Sequence, residues 1–81
     1  AKHSDLRMVL IAFDPGGRLE RHDAPGRVCI QVVDGQVVVR VGDEAVQLKA
    51  GGLLNIAPSL PHEVEAQAQS AVLVTIAWPS A

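Results

Sequence analysis

The sequence predicts an antiparallel all-β fold of about eight short strands, closed into a jelly roll or small barrel. Three observations carry that expectation. Gly, Pro and Asp break the chain at close intervals, at Asp14-Pro15-Gly16-Gly17, Ala24-Pro25-Gly26, Asp34-Gly35, Gly42-Asp43, Gly51-Gly52 and Pro58 to Pro61. The intervals between breaks are rich in Val, Ile and Leu, alternating or in short runs. None of them repeats apolar residues at the spacing of a helix face.

Taken in order, Leu6 to Phe13 reads as a strand that is apolar on both faces, and Arg18 to His22 as a short strand. Val28 to Val33 is again apolar on both faces except at Gln31. Asp34-Gly35 is a preferred dipeptide of the type I′ hairpin turn, whose two central residues need positive φ, so Gln36 to Val41 is expected to pair back on Val28 to Val33. In that strand Val37, Val39 and Val41 share one face, with Gln36 and Arg40 on the other. Gly42-Asp43 turns the chain again into Ala45 to Lys49, with Val46 and Leu48 inward; good helix formers here are overruled by the closeness of both flanking turns. Leu53 to Ile56, His62 to Ala66 and Ser70 to Trp78 complete the set, in a meander-like order.

Length and composition bound the rest. The 81 residues make one domain over 1–81, with its core over about 6–78 and loose ends at 1–5 and 79–81. A chain this small buries only roughly 60–65% of the surface its unfolded form exposes. Cys29 is the single cysteine, so no internal disulfide adds stability, and with Phe13 and Trp78 as the only aromatics the core must be built from small aliphatics. A strand that is apolar on both faces needs cover on both, which one sheet partner cannot supply; a homodimer is expected. The formal charge of −2 and the scattered basic residues give no footprint for nucleic acid. The longest apolar run, Met8 to Phe13, is too short for a membrane span or a signal segment. A free thiol and no export signal point to the cytoplasm.

Two histidines stand out. On an unbroken strand Glu20, His22 and Ala24 would share a face. His62 shares a face with the apolar Val64 and Ala66, opposite Glu63 and Glu65, so it is a polar residue on an inward face and needs a hydrogen-bond partner or a metal. The plainer alternatives are a solvent-facing histidine at 22 and a satisfied core histidine at 62. His3 lies in the leading tail. Cys29 is expected to face away from the side of Val28 and to act as a small hydrophobe.

The spacing around these histidines resembles the cupin family, whose first motif reads G-x5-H-x-H-x3-E-x6-G and second G-x5-P-x-G-x2-H-x3-N. Gly16, His22 and Gly35 match the first in register, and Gly51 and His62 match the second. The resemblance runs from about Met8 to Trp78 and implies a small single-domain cupin barrel. Family metal sites commonly use two histidines and a glutamate of the first motif and the histidine of the second; here Ala24 and Val28 occupy two of those positions. Ala57, Ser59 and Ala66 replace the proline, glycine and asparagine of the second motif.

The expectation is therefore a cupin that binds a small molecule, without a full metal site and without catalysis, in a pocket lined by His22, Ala24, Val28, Ile30, His62 and Val64. With one donor and one acceptor on each imidazole, the pocket would suit a carboxylate or a hydroxylated molecule. No cofactor is expected. Two alternatives stand beside this reading. One is a metal-dependent enzyme of oxygenase or isomerase type, holding Fe, Zn, Ni or Mn on His22, His62 and Glu20. The other is a dimerisation or structural module.

Overall fold

Alternation of Val with polar residues sets which face of each strand turns inward, and two sheets result. The computed structural model describes residues 5–78, and these form eight strands: β1 (Asp5–Phe13), β2 (Arg18–His22), β3 (Arg27–Asp34), β4 (Gln36–Val41), β5 (Glu44–Lys49), β6 (Leu53–Ile56), β7 (His62–Ala66) and β8 (Ser70–Trp78). All eight strands stand where the sequence predicts them; β1, β3 and β5 extend slightly further. Residues 1–4 and 79–81, expected as loose ends, lie outside the described residues, whereas Asp5 opens β1 opposite Trp78.

The strand order is not a meander. One antiparallel sheet, sheet A, runs β1-β8-β3-β6, and the other, sheet B, runs β2-β7-β4-β5. Of the strands adjacent in sequence, only β4 and β5 pair. Every other connection crosses from one sheet to the other, which is the jelly-roll path.

Asp34-Gly35 does not make the expected hairpin. β3 lies in sheet A and β4 in sheet B, so Gly35 is the crossing point between them. Its φ is +89°, and a Cβ there would fall on Ser70 Oγ and the Gln69 carbonyl, and 2.7 Å from Ser70 Cα. Glycine is thus required twice, by dihedral and by contact. Ser70 seals the crossing: its hydroxyl accepts from Gln36 N–H at 3.1 Å and donates to the Ala68 carbonyl at 2.8 Å. The tight two-residue hairpin is Gly42-Asp43, between Val41 and Glu44, with φ +56° at Gly42 alone, as a type II′ turn requires.

The inner faces meet in a single aliphatic cluster. Val28, Ile30, Val32, Ile56 and Val72 of sheet A oppose Val37, Val39, Leu48 and Val64 of sheet B, and Phe13 closes one end. The outer faces differ sharply. Sheet B carries ion pairs, Arg18 with Glu63 at 2.8 Å and Arg40 with Glu65 at 3.0 Å. Sheet A carries aliphatic side chains exposed along β1, with Leu6 at 60%, Met8 at 59% and Leu10 at 65%. Cys29 is also on this outer face, half-buried, on the opposite side of β3 from the core residue Val28.

Candidate functional site: an imidazole pair at one end of the barrel

β7 brings His62, Val64 and Ala66 to the inner face, all buried, with His62 only 1% exposed. β2 lies beside it, with Leu19 opposite Val64 and His22 opposite His62. Three residue steps on β2 thus span two on β7, so a β-bulge falls at Glu20 and Arg21. The bulge lets both Leu19 and His22 turn to the core side. It also leaves Arg18 and Arg21 on one side, where both reach Glu63.

The bulge corrects the expected placement of Glu20. On an unbroken strand Glu20 and His22 would share a face; across the bulge they do not. On the outer side Arg18 pairs with Glu63, and its guanidinium is held above its ordinary pKa first by the Glu63 hydrogen bond and charge, then by Glu65, and least by Glu20. What Glu20 gives His22 is its main-chain carbonyl. Among the described residues no three His, Cys, Asp or Glu side chains come together as a metal-binding group.

The two rings lie edge to face, with centroids 4.3 Å apart and planes at 63°. His22 donates Nδ1–H to the Glu20 carbonyl at 2.7 Å, and His62 donates Nδ1–H to the Leu60 carbonyl at 3.0 Å. A carbonyl oxygen can only accept, so the neutral form of each ring carries its proton on Nδ1 and its lone pair on Nε2. Neither Nε2 bonds to another described residue. Both histidines therefore offer acceptors, and the expected donor on each ring is already committed to the main chain.

His22 is exposed and His62 is buried beside it. Ala24 is packed against the core, and its carbonyl accepts from Ser59 N–H at 2.8 Å, tying the loop after β2 to the loop before β7. Ser59 takes the left-handed conformation, φ 65°, at the position where the second motif has glycine. Val28, Ile30 and Val64 lie within the packed core, at 1–2% exposure. Cys29 is on the far side of sheet A from the inner faces that carry the imidazoles, so it is not their nucleophile.

A cavity of about 520 Å³ opens elsewhere, at the opposite end of the strands, among Phe13, Asp14, Asp34, Gln69, Ser70 and Ala71. It contains neither histidine, and its one buried polar side chain, Ser70, is already satisfied by the Gly35 crossing. The imidazole pair has the stronger claim as a site because its Nε2 atoms are uncommitted.

The molecule is thus a jelly-roll barrel of two sheets with an imidazole pair at one end, where β2 and β7 meet. The match to the cupin-domain model spans residues 9–78, and the chain belongs to that family. Among solved structures it resembles a conserved protein of unknown function from Streptococcus pyogenes, at 20% identity and a TM-score of 0.91, covering 100% of this chain and 77% of that one. It resembles an RmlC-like cupin from Shewanella frigidimarina at 24% identity and a TM-score of 0.85, covering 91% and 67%. It also resembles the Bacillus subtilis oxalate decarboxylase, a protein with Mn(II) centres, at 21% identity and a TM-score of 0.85, covering 93% of this chain but 22% of that one. No curated relative matches the chain. At these identities the solved structures share the fold, and a shared barrel does not select a function.

Proposed function

We propose that the protein binds a small molecule at the imidazole pair, and that this molecule approaches with a hydrogen-bond donor. The observation that carries the reading is the commitment of both Nδ1–H groups to main-chain carbonyls, which leaves two Nε2 acceptors on adjacent rings. A hydroxyl group matches them; a carboxylate, which only accepts, does not match two neutral rings in this tautomer. An apolar body is favoured by the surroundings, with Leu60 exposed beside His62 and Val64 next to it on the inner face. A phenol or catechol is the simplest probe of that description. On adding catechol, the Nε2 resonances of His22 and His62 are expected to shift together in long-range ¹H–¹⁵N spectra, while benzoate leaves them in place. Unmoved resonances at millimolar catechol, or an equal response to benzoate, would sink the reading.

A resident metal is the second reading, favoured by the same tautomers, since metal-binding histidines fix the other ring nitrogen through a carbonyl or carboxylate. The donor set falls short of it. A stable divalent site takes at least three protein ligands, and here only two imidazoles meet, with Ala24 and Val28 at the positions of the family's other donors. Protein purified without chelator and then offered Fe, Ni, Zn or Mn is expected to keep less than about a tenth of an equivalent after desalting. Stoichiometric retention by elemental analysis, lost in His62→Ala, would establish the metal instead.

The protein works in this reading as a homodimer in the cytoplasm, without catalysis of its own. The homodimer is supported by β1, which is apolar on both faces. The compartment is supported by the free thiol of Cys29. No helix among the described residues is long and apolar enough to cross a membrane.

A further inference from the structure

β2 is a five-residue edge strand of sheet B and pairs with β7 alone, so the place of His22 depends on that one border. The ring's own hydrogen bond does not fix it, because that bond runs to Glu20 on the same strand. No unbroken register serves β2 either. Counted from Leu19 opposite Val64, Arg21 would lie opposite His62 and point inward. Counted back from His22 opposite His62, Glu20 would lie opposite Val64 and point inward. Either choice buries a charge, and the bulge avoids both.

One carboxylate closes the outer side of the bulge. Glu63 Oε2 accepts from Arg18 at 2.8 Å, and Glu63 Oε1 lies 3.7 Å from the Arg21 guanidinium. Arg18 and Arg21 are three residues apart, and they reach the same carboxylate because the bulge supplies an extra step. A crossed pairing keeps Glu63 available to them. Arg40, directly opposite Glu63, bonds Glu65 at 3.0 Å, while Arg18, directly opposite Glu65, bonds Glu63. Arg21 also donates to the Gly42 carbonyl at 3.3 Å, and the Gly42 N–H donates to the Pro61 carbonyl, next to His62, at 3.2 Å. Among the described residues, no other side-chain hydrogen bond or ion pair joins β2 to β7.

We propose that Glu63 is a positioning residue for the imidazole pair: its carboxylate clamps Arg18 and Arg21 across the bulge and thereby holds His22 against His62. The clamp lies on the outer side of sheet B and the rings on the inner side, so Glu63 acts on the pair through the main chain of β2. The proposal rests on the small-molecule reading for its binding arm, and it adds what keeps the two acceptors adjacent. A pair that only stabilised the sheet would favour no particular placement of His22. These two arginines stand at the bulge itself, and Arg21 immediately precedes His22. The Glu63 side chain is only 13% exposed, which shelters both contacts more than a pair standing free in solvent.

Glu63→Gln keeps the shape of the side chain and removes its charge. In the ligand-free protein, a nuclear Overhauser contact between the His22 and His62 ring protons is expected for the wild type, whose ring centroids are 4.3 Å apart, and its loss is expected in Glu63→Gln. Far-UV circular dichroism is expected to be the same for both. Catechol is expected to bind Glu63→Gln about three- to tenfold more weakly than the wild type, from the loss of two half-exposed ion pairs. In a His22→Ala background, Glu63→Gln is expected to weaken catechol binding no further, because the clamp acts through His22. The double variant Arg18→Gln, Arg21→Gln removes the clamp from its other side and is expected to repeat these results if Glu63→Gln does not fold. A folded Glu63→Gln that keeps the ring contact overturns the proposal. So does an equal loss of affinity with and without His22, which would make Glu63 a general support of the barrel end. A wild type that does not bind catechol overturns the small-molecule reading instead, and the ring contact in the ligand-free protein still decides the clamp.

Discussion

Gly35→Ala is expected to destabilise the protein by about 3 kcal/mol or more, against about 1 kcal/mol for Gly42→Ala. Both glycines have positive φ, so both substitutions carry the strain of a left-handed L-residue. The surroundings separate them. A Cβ at Gly42 meets nothing within 4 Å, whereas at Gly35 it meets the main chain of Gln69 and Ser70, which cannot swing aside as a side-chain tip can. The start of β8 would have to move, and with it the Ser70 hydroxyl that binds Gln36 and Ala68. A domain of this size has only roughly 4–12 kcal/mol of stability in total, so Gly35→Ala is expected to be largely unfolded at physiological temperature. Urea midpoints for the two variants measure the difference. Equal losses would mean that φ alone matters and that the sheet crossing tolerates a methyl group.

His62→Ala is expected to lower stability by about 2–4 kcal/mol, and His22→Ala by under about 1 kcal/mol, while either one weakens catechol binding at least about tenfold. His62 is 1% exposed and packed between Val64 and Val41 on the inner face, so its removal leaves a cavity and an unpartnered Leu60 carbonyl. His22 is exposed, and its loss empties no interior space. Denaturation and probe titration together separate the roles. A His22→Ala variant that binds catechol as the wild type does would remove the paired-acceptor site, whatever its stability. A His62→Ala variant with unchanged stability would show that the inner ring is not part of the packed core.

Much of the fold could be read from the sequence because its signals are local. Strand positions follow from period-two alternation and from turn residues, and each needs knowledge of only a few neighbours. That is why β2, β4, β6, β7 and β8 stand where alternation places them, and why the inward set of Val37, Val39, Val64 and Ala66 is visible in the sequence. Asp34-Gly35 misled for the same reason. As a dipeptide it favours a hairpin, but the sheet that β4 joins is decided by its pairing with β7, which lies far along the chain.

The candidate site divides along the same line. Both histidines were legible, His62 from its apolar face-mates and His22 from its place before a break. That they touch was not, because His22 meets His62 only when β2 pairs with β7 across some forty residues of intervening chain. Glu20 was misplaced because alternation has no means of announcing a bulge; the extra residue appears only against the partner strand. The ring tautomers lay equally out of reach, since they depend on carbonyl directions in the folded loops.

The sequence by itself determined the all-β class, the positions of eight strands and one polar side chain, His62, destined for an inner face. These rest on alternation and turn chemistry, which act between near neighbours. Only the tertiary structure decided the sheet order, the use of Gly35 as a crossing, the bulge that turns His22 inward and the commitment of both Nδ1 protons. Each of these depends on which distant strand comes alongside, a choice made by the burial of the whole core.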